Sequence, residues 1–328
     1  MCATFSCRRL LALVCLLLLS LPLAPARASG VVRYAAPTAR GSGDCSSWDN
    51  ACTLQTALTD AIAGDQIWIQ AGVHKPTTNP LDRTAAFALK NDVAMYGGFA
   101  GTESTLSERN WVANVTVLSG DIDNNDVTDP YSVTTTINGA NSYRVIIAIN
   151  VTGTALIDGV IVTGGQANGA FPNNDGGGMY NFNGSPTLAH VTFSGNIAQN
   201  DGGGMSNFNN SSPMLTHVAF INNTAGDGGG ISNGYNSSPV LVNVVFSGNT
   251  ADNGAGVFNY NNSSPAMVNV TLGGNTALNP DPYAGRVIFN DDQSSPILRN
   301  VIIWDNAALS IVSYNSSIPV ISHSNVEG

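Results

Sequence analysis

Apolar residues in the middle of this chain fall in short runs with a period of two, as in Val191-Thr192-Phe193 and Val244-Val245-Phe246. Each run is bounded by glycine, asparagine or Ser-Pro, and no helical stripe of about ten residues fits between those boundaries. The pattern predicts short strands separated by turns. It also recurs. Between Asp175 and Asn275 one phrase is written four times: Gly-Gly-Gly-apolar-x-Asn, then Ser-Pro-x-apolar, then apolar-x-Phe-x-x-Asn. The triplets begin at Gly176, Gly202 and Gly228, with Gly254-Ala255-Gly256 as the fourth, 26 residues apart. A weaker fifth copy runs through Asn290, Pro296, Ile303 and Asn306, so the regular repeats span 175–306.

A fixed period of this length means stacked units, each of which buries its apolar face only against a neighbour. Three short strands per repeat make one coil of a parallel β-helix, with every residue about 4.8 Å above its counterpart one repeat earlier. Val31–Tyr34 is a strand ahead of the stack. Thr53 to Ala63 places Leu54, Leu58, Ala61 and Ile62 on one helical stripe, with Thr53 as N-cap and Gly64 as the stop. A lone helix there serves to cover the open end of the first coil. Gln66–Gln70 is the first strand of the stack, and Phe87–Leu89, Val93–Tyr96 and Val115–Leu118 follow, joined by long connections at His74–Arg83 and Gly101–Trp111. Tyr143–Ile149 and Ala155–Thr163 lead into the repeats. The expectation is an all-β solenoid of roughly eight coils with an N-terminal capping helix, a rod on the order of 40 Å long.

Composition adds an address. Arg8 and Arg9 precede the apolar run Leu10–Leu21, and Ala26-Arg27-Ala28 is a small-x-small cleavage site, so residues 1–28 read as a secretory signal peptide. Residues 29–65 then form the cap and 66–328 the solenoid. Removing three arginines and no acid moves the net charge from −10 to −13, which disfavours nucleic acid and anionic membranes as partners. Cys45 and Cys52 are the cysteines that remain, and in an exported chain they are expected to form one disulfide.

Several stretches carry a resemblance. Ser47-Trp48-Asp49-Asn50-Ala51, Gly64-Asp65-Gln66-Ile67-Trp68, Tyr96-Gly97-Gly98-Phe99 and Leu118-Ser119-Gly120-Asp121 look like the opening of bacterial secreted proteins with right-handed parallel β-helix, pectin-lyase-like repeats. The Gly-Gly-apolar and Phe-x-x-Asn steps are similar to the repeats of polymorphic outer membrane proteins. The resemblance implies a single-stranded right-handed parallel β-helix, a fold that hosts lyases, hydrolases and adhesins alike. Autotransporter members of that family end in a membrane barrel. No segment here has that pattern, so the expectation is a secreted or cell-surface protein without membrane insertion after signal cleavage.

Stacking turns sequence columns into ladders. Asn181, Asn207, Asn233, Asn259 and Asn290 form one, and Asn243, Asn269 and Asn300 another, with His190 and His217 in the first two places. Amides at tight bends satisfy the backbone and pin the register, and the histidines read as occupants of the same bend. Asp175, Asp201 and Asp227, followed by Asn253, precede the triplets. Like charges at that spacing need compensation, either from the glycine N–H groups that follow each carboxylate or from a bound Ca²⁺, and Asn253 favours the first. Asp121, Asp123, Asn125, Asp126 and Asp129 are a second candidate calcium site. Their spacing imitates an EF-hand loop, but Asp126 stands where glycine is required and Ser132 where glutamate is, so the reading is a looser calcium-stabilised loop.

Binding candidates lie on one edge. Insertions fall at a single turn, at Gly165–Asn174 and Leu278–Ala284, and contain Phe171 and Tyr283; Phe182, Phe208 and Tyr260 make an aromatic column that can stack on sugar rings or on itself. From Gly164 onward there is no lysine and only Arg286 and Arg299, a poor supply of bases for a lyase, and the aspartate column is the repeat instead of a break in it. The chain therefore reads as an exported non-catalytic scaffold binding a cell-surface glycan or another cell-surface protein. The alternative is a carbohydrate-active enzyme, a glycoside hydrolase or polysaccharide lyase.

Overall fold

The computed structural model describes residues 30–281, 286–307 and 310–327; the leader expected over 1–28 and the candidate Tyr283 lie outside them. The chain winds as a right-handed parallel β-helix of about nine turns. Its walls are a 14-stranded, an 8-stranded and a 5-stranded sheet, and a 2-stranded antiparallel hairpin stands off the side. In a regular coil Met179–Phe182 belongs to the 8-stranded sheet, Thr187–Ser194 to the 14-stranded and Ile197–Ala198 to the 5-stranded. The stack starts earlier than expected: Val32–Ala35 pairs in parallel with Gln66–Gln70, Val32 opposite Gln66, so the stretch read as lying ahead of the solenoid is part of it.

Register follows the repeat. Met179 pairs with Met205, Asn181 with Asn207 and Phe220 with Phe246, so like residues stack on like. Phe193, Phe220 and Phe246 are fully buried and lie face to face at 5.0 Å centroid spacing. The third glycine of each triplet makes room for these rings, since a Cβ on Gly204 would come within 2.6 Å of the Phe220 ring. The first glycine sits at positive φ, +68° at Gly176 and Gly202, where a side chain would be strained.

Asparagine has three roles here, and the sequence separated only two. The column Asn181, Asn207, Asn233, Asn259 and Asn290 is not at a bend, as expected, but mid-strand and buried. Each Nδ2 donates to the next Oδ1 at 2.6 to 2.9 Å. The exposed bend belongs to His190, His217, Asn243, Asn269 and Asn300, all at φ between +49° and +56°, where asparagine tolerates the left-handed region. The third column, Asn196, Asn223, Asn249 and Asn275, satisfies the backbone. Asn223 Oδ1 accepts from the Asn196 N–H at 3.1 Å while its Nδ2 donates to the Phe193 carbonyl at 2.9 Å.

The helix Leu54–Asp60 covers the first coil with Leu54, Ala57 and Leu58, and Thr53 accepts from Thr56 N at 3.2 Å as its cap. It stops short of the expected Ala63 because the Asp65 carboxylate accepts from Ile62 N and Val31 N, turning residues 61–65 into the next strand. The disulfide joins Cys45 and Cys52 as expected.

The two asparagine ladders give a direct comparison. Asn207→Ala leaves a buried donor on Asn181 and a buried acceptor on Asn233, and is expected to cost about 2–5 kcal/mol. Asn269→Ala on the exposed ladder is expected to cost below about 1 kcal/mol. Urea midpoints of the two variants check this.

Candidate functional site

The aspartate column is compensated, but not by the means expected. The triplet N–H groups belong to the ladder: Gly176 N donates to the Asp201 carbonyl at 2.8 Å and Gly202 N to the Asp227 carbonyl at 2.9 Å. The carboxylates turn to the neighbouring coil instead. Asp175 Oδ1 accepts from Asp201 N at 3.2 Å and Asn200 Nδ2 at 3.0 Å, and Asp227 Oδ1 accepts from Asn253 Nδ2 at 2.8 Å. Asp201, in the middle, accepts from Ser232 Oγ at 3.1 Å and from the Tyr260 hydroxyl at 3.2 Å. Burial, and then the Asp175 and Asp227 charges, push its carboxyl up to about 7, so protonation of the middle acid relieves the repulsion. Arg144 stacks on Tyr180 at 4.0 Å with its Nε on the Asp175 carbonyl and faces this cluster as a cation.

The aromatic column is closed upon itself. Phe182 stacks on Phe208 at 6.1 Å, Phe208 meets Tyr235 at 4.6 Å and Tyr235 meets Tyr260 at 5.6 Å. Tyr260 reaches Asp201 across Gly234, where a Cβ would fall 2.3 Å from its ring. Phe171 is exposed on the insertion and is not brought to these residues by any ring contact.

The acids of the 121–129 loop face different partners. Asp121 takes Lys75 Nζ at 3.2 Å, Asp126 takes Asn138 N and Thr134 Oγ1, and Asp129 accepts from Tyr131 N and Val133 N at the hairpin turn. Asp123 Oδ2 takes Asn125 Nδ2 and Ala140 N. Among the described residues, no three His, Cys, Asp or Glu side chains gather closely enough to hold a metal ion.

A cluster the sequence reading passed over lies on the outer face of the 14-stranded sheet. The long connection after Gly101 folds back over that face and delivers Arg109 and Trp111. Arg109 Nη2 donates to Asp158 Oδ2 at 2.6 Å, with its guanidinium over Tyr96 and Trp111 at about 5 Å. Asp158 Oδ1 lies 3.0 Å from His190 Nδ1. The Arg109 and Asp158 side chains are 9% and 12% exposed, His190 34%. A carboxylate on Nδ1 selects the tautomer whose Nε2 carries the lone pair, and that nitrogen has no protein partner among the described residues. The imidazole is held between Trp111 at 4.7 Å and His217 at 5.2 Å.

One hollow borders this cluster and a second lies further along the strands. One, of about 510 Å³, is lined by Leu106, Ser107, Arg109 and Trp111. The other, of about 470 Å³, runs under the hairpin Val127–Thr128/Thr134–Thr136, with Tyr131 and Asp129 at its wall and Ile161, Thr192 and Ser194 on its floor. Thr192 is two residues along the strand from His190. The available signals were breaks in pattern: Asp158 in a column continued by Ala189 and Thr216, and histidine where the bend otherwise takes asparagine.

No protein-family model matches the chain, and no characterised protein is similar to it in sequence. Two solved structures are similar. Pectate lyase Pel9A aligns with 92% of this chain and 79% of its own at 12% identity and a TM-score of 0.44. An alginate lyase from Paenibacillus sp. str. FPU-7 aligns with 90% of this chain and 99% of its own at 14% identity and a TM-score of 0.38. The likeness is one of fold, and no residue role is carried across. Neither structure bears on the likeness of the repeats to polymorphic outer membrane proteins. The lean away from catalysis is corrected, because the shortage of bases from Gly164 onward left out His190 and an arginine brought in from an earlier connection.

The raised Asp201 carboxyl sets a pH dependence. Its folded-state value lies above the ordinary one, so its contribution to stability is complete below about pH 4 and is lost as pH rises to about 7. Asp201→Asn is expected to flatten the melting temperature across that window and to exceed the parent at pH 8 by up to about 4 kcal/mol. Thermal melts of both proteins from pH 4 to pH 8 measure this.

Proposed function

We propose that the protein is an exported polysaccharide lyase that cleaves a uronate-bearing polymer by β-elimination, with His190 as the base. The observation that carries this is the partly exposed imidazole fixed on Nδ1 by the buried Asp158–Arg109 pair, beside Trp111, which with Arg109 lines a hollow. Elimination needs one base to take the C5 proton beside the uronate carboxylate while the C4–O bond breaks and the leaving sugar oxygen takes a proton from water or from the imidazolium, whereas glycoside hydrolysis needs two carboxylates flanking the bond. Candidate acids for the second chemistry are buried and hydrogen-bonded within the aspartate column. A single Nε2 lone pair at the surface suits the first.

Charge is compatible with this substrate at the site, though not over the whole molecule. Arg109 cancels the Asp158 charge, so a uronate approaching the His190 imidazole meets no net negative charge there. The acidic remainder of the chain repels a polyanion at long range, and salt screens that repulsion. Trp111, more than a third exposed, offers a face for a sugar ring beside the base, and Tyr131 offers another at the second hollow.

The test is incubation of the mature chain with uronate-bearing and neutral polysaccharides, following ultraviolet-absorbing unsaturated ends alongside reducing ends. Both signals are expected to rise together on a uronate polymer, faster at moderate salt, and to fall at least about 100-fold in His190→Ala. Reducing ends without absorbance would convert the reading to hydrolysis. Activity unchanged in His190→Ala would remove the base, and no product from any polymer would overturn the proposal.

A further inference from the structure

The hairpin that walls the second hollow rests on a loop with more acceptor oxygens than the protein satisfies. Asp121 is answered by Lys75, whose Nζ also reaches Asn124 Oδ1 at 2.7 Å. Past the hairpin the chain returns against the loop: Asn138 N donates to Asp126 Oδ1 at 2.8 Å, Ala140 N to Asp123 Oδ2 at 3.1 Å, and Asn141 Nδ2 to Asp126 Oδ2 at 2.8 Å. Three enclosed oxygens in these two segments have no donor: Asp123 Oδ1, Asn141 Oδ1 and Ser142 Oγ. Asn141 and Ser142 are fully buried. Turning the Asn141 amide over does not remove the problem, because its Nδ2 already donates to both Asp126 and the Gly164 carbonyl, the latter at 2.6 Å. The oxygen of that same amide is left without a partner.

Buried oxygens without donors are costly, and oxygens alone, some charged and some neutral, are what a hard cation takes. We propose that this junction binds one Ca²⁺, with Asp123, Asp126 and Asn141 supplying side-chain oxygens and Ser142 its hydroxyl. The set differs from the one suggested by sequence spacing. Asp129 caps the hairpin turn, Asn125 donates its amide to Asp123, and Asp121 has its cation in Lys75. Half of the ligands are neutral and come from beyond the hairpin, so the ion ties the hairpin's two ends together.

Calorimetric titration of the chelator-treated mature chain with CaCl₂, with thermal melts in parallel, tests this. One binding event and a rise in melting temperature are expected. Asp123→Asn should weaken affinity at least tenfold and Ser142→Ala several-fold, both with an unchanged circular dichroism spectrum, while Asp129→Asn leaves affinity within twofold. Absence of heat and of any melting shift would overturn the proposal and leave buried water as the partner of these oxygens. A loss in Asp129→Asn equal to that in Asp123→Asn would overturn the ligand set.

Discussion

Everything in this molecule depends on identical side chains meeting at the spacing of a parallel ladder. Stacked amides profit from it, because each has a donor for the coil on one side and an acceptor for the other, and the buried Asn181 column joins five coils by that means. Stacked phenyl rings profit too. Stacked carboxylates do not, and the aspartate column shows the cost of imposing one spacing on every residue type: its middle member holds its proton up to about pH 7, with a serine and a tyrosine turned toward it. Gly234 belongs to the same adjustment, since only a missing side chain lets Tyr260 lie back across a coil.

The period made the fold legible. Once the triplets were placed, the pairing of Met179 with Met205 or Phe220 with Phe246 followed by addition, as did the inward face of each strand. Capping helix and disulfide were legible from local chemistry, a threonine cap and two cysteines in an exported chain. Less visible was the direction of side chains within a coil. The asparagine column read as a bend is mid-strand, because an inward amide and a bend amide leave the same mark in sequence.

The candidate site was hidden for a different reason. A residue in a repeat has its neighbours fixed by the period, whereas a residue in an insertion has none until the connection is folded. Arg109 and Trp111 lie in such a connection, and nothing in their spacing places them over Asp158 and His190. The breaks in the columns at Asp158 and His190 were readable, but a column with one exception resembles drift unless its partner is known. The acid loop is the reverse case: its spacing resembled a motif, while the oxygens that complete it come from Asn141 and Ser142 on the far side of the hairpin.

The placement of the imidazole along the rod has a consequence for how the molecule fails. In a solenoid each coil is held by its two neighbours, so the terminal turns open first and damage proceeds inward. Tyr96, Arg109, Asp158, His190 and His217 occupy consecutive interior coils, with the helix and the first turns on one side and the regular repeats on the other. Amide exchange should therefore be slower where the imidazole sits than in the outer turns of the described stack, and that neighbourhood keeps its shape while an outer turn opens.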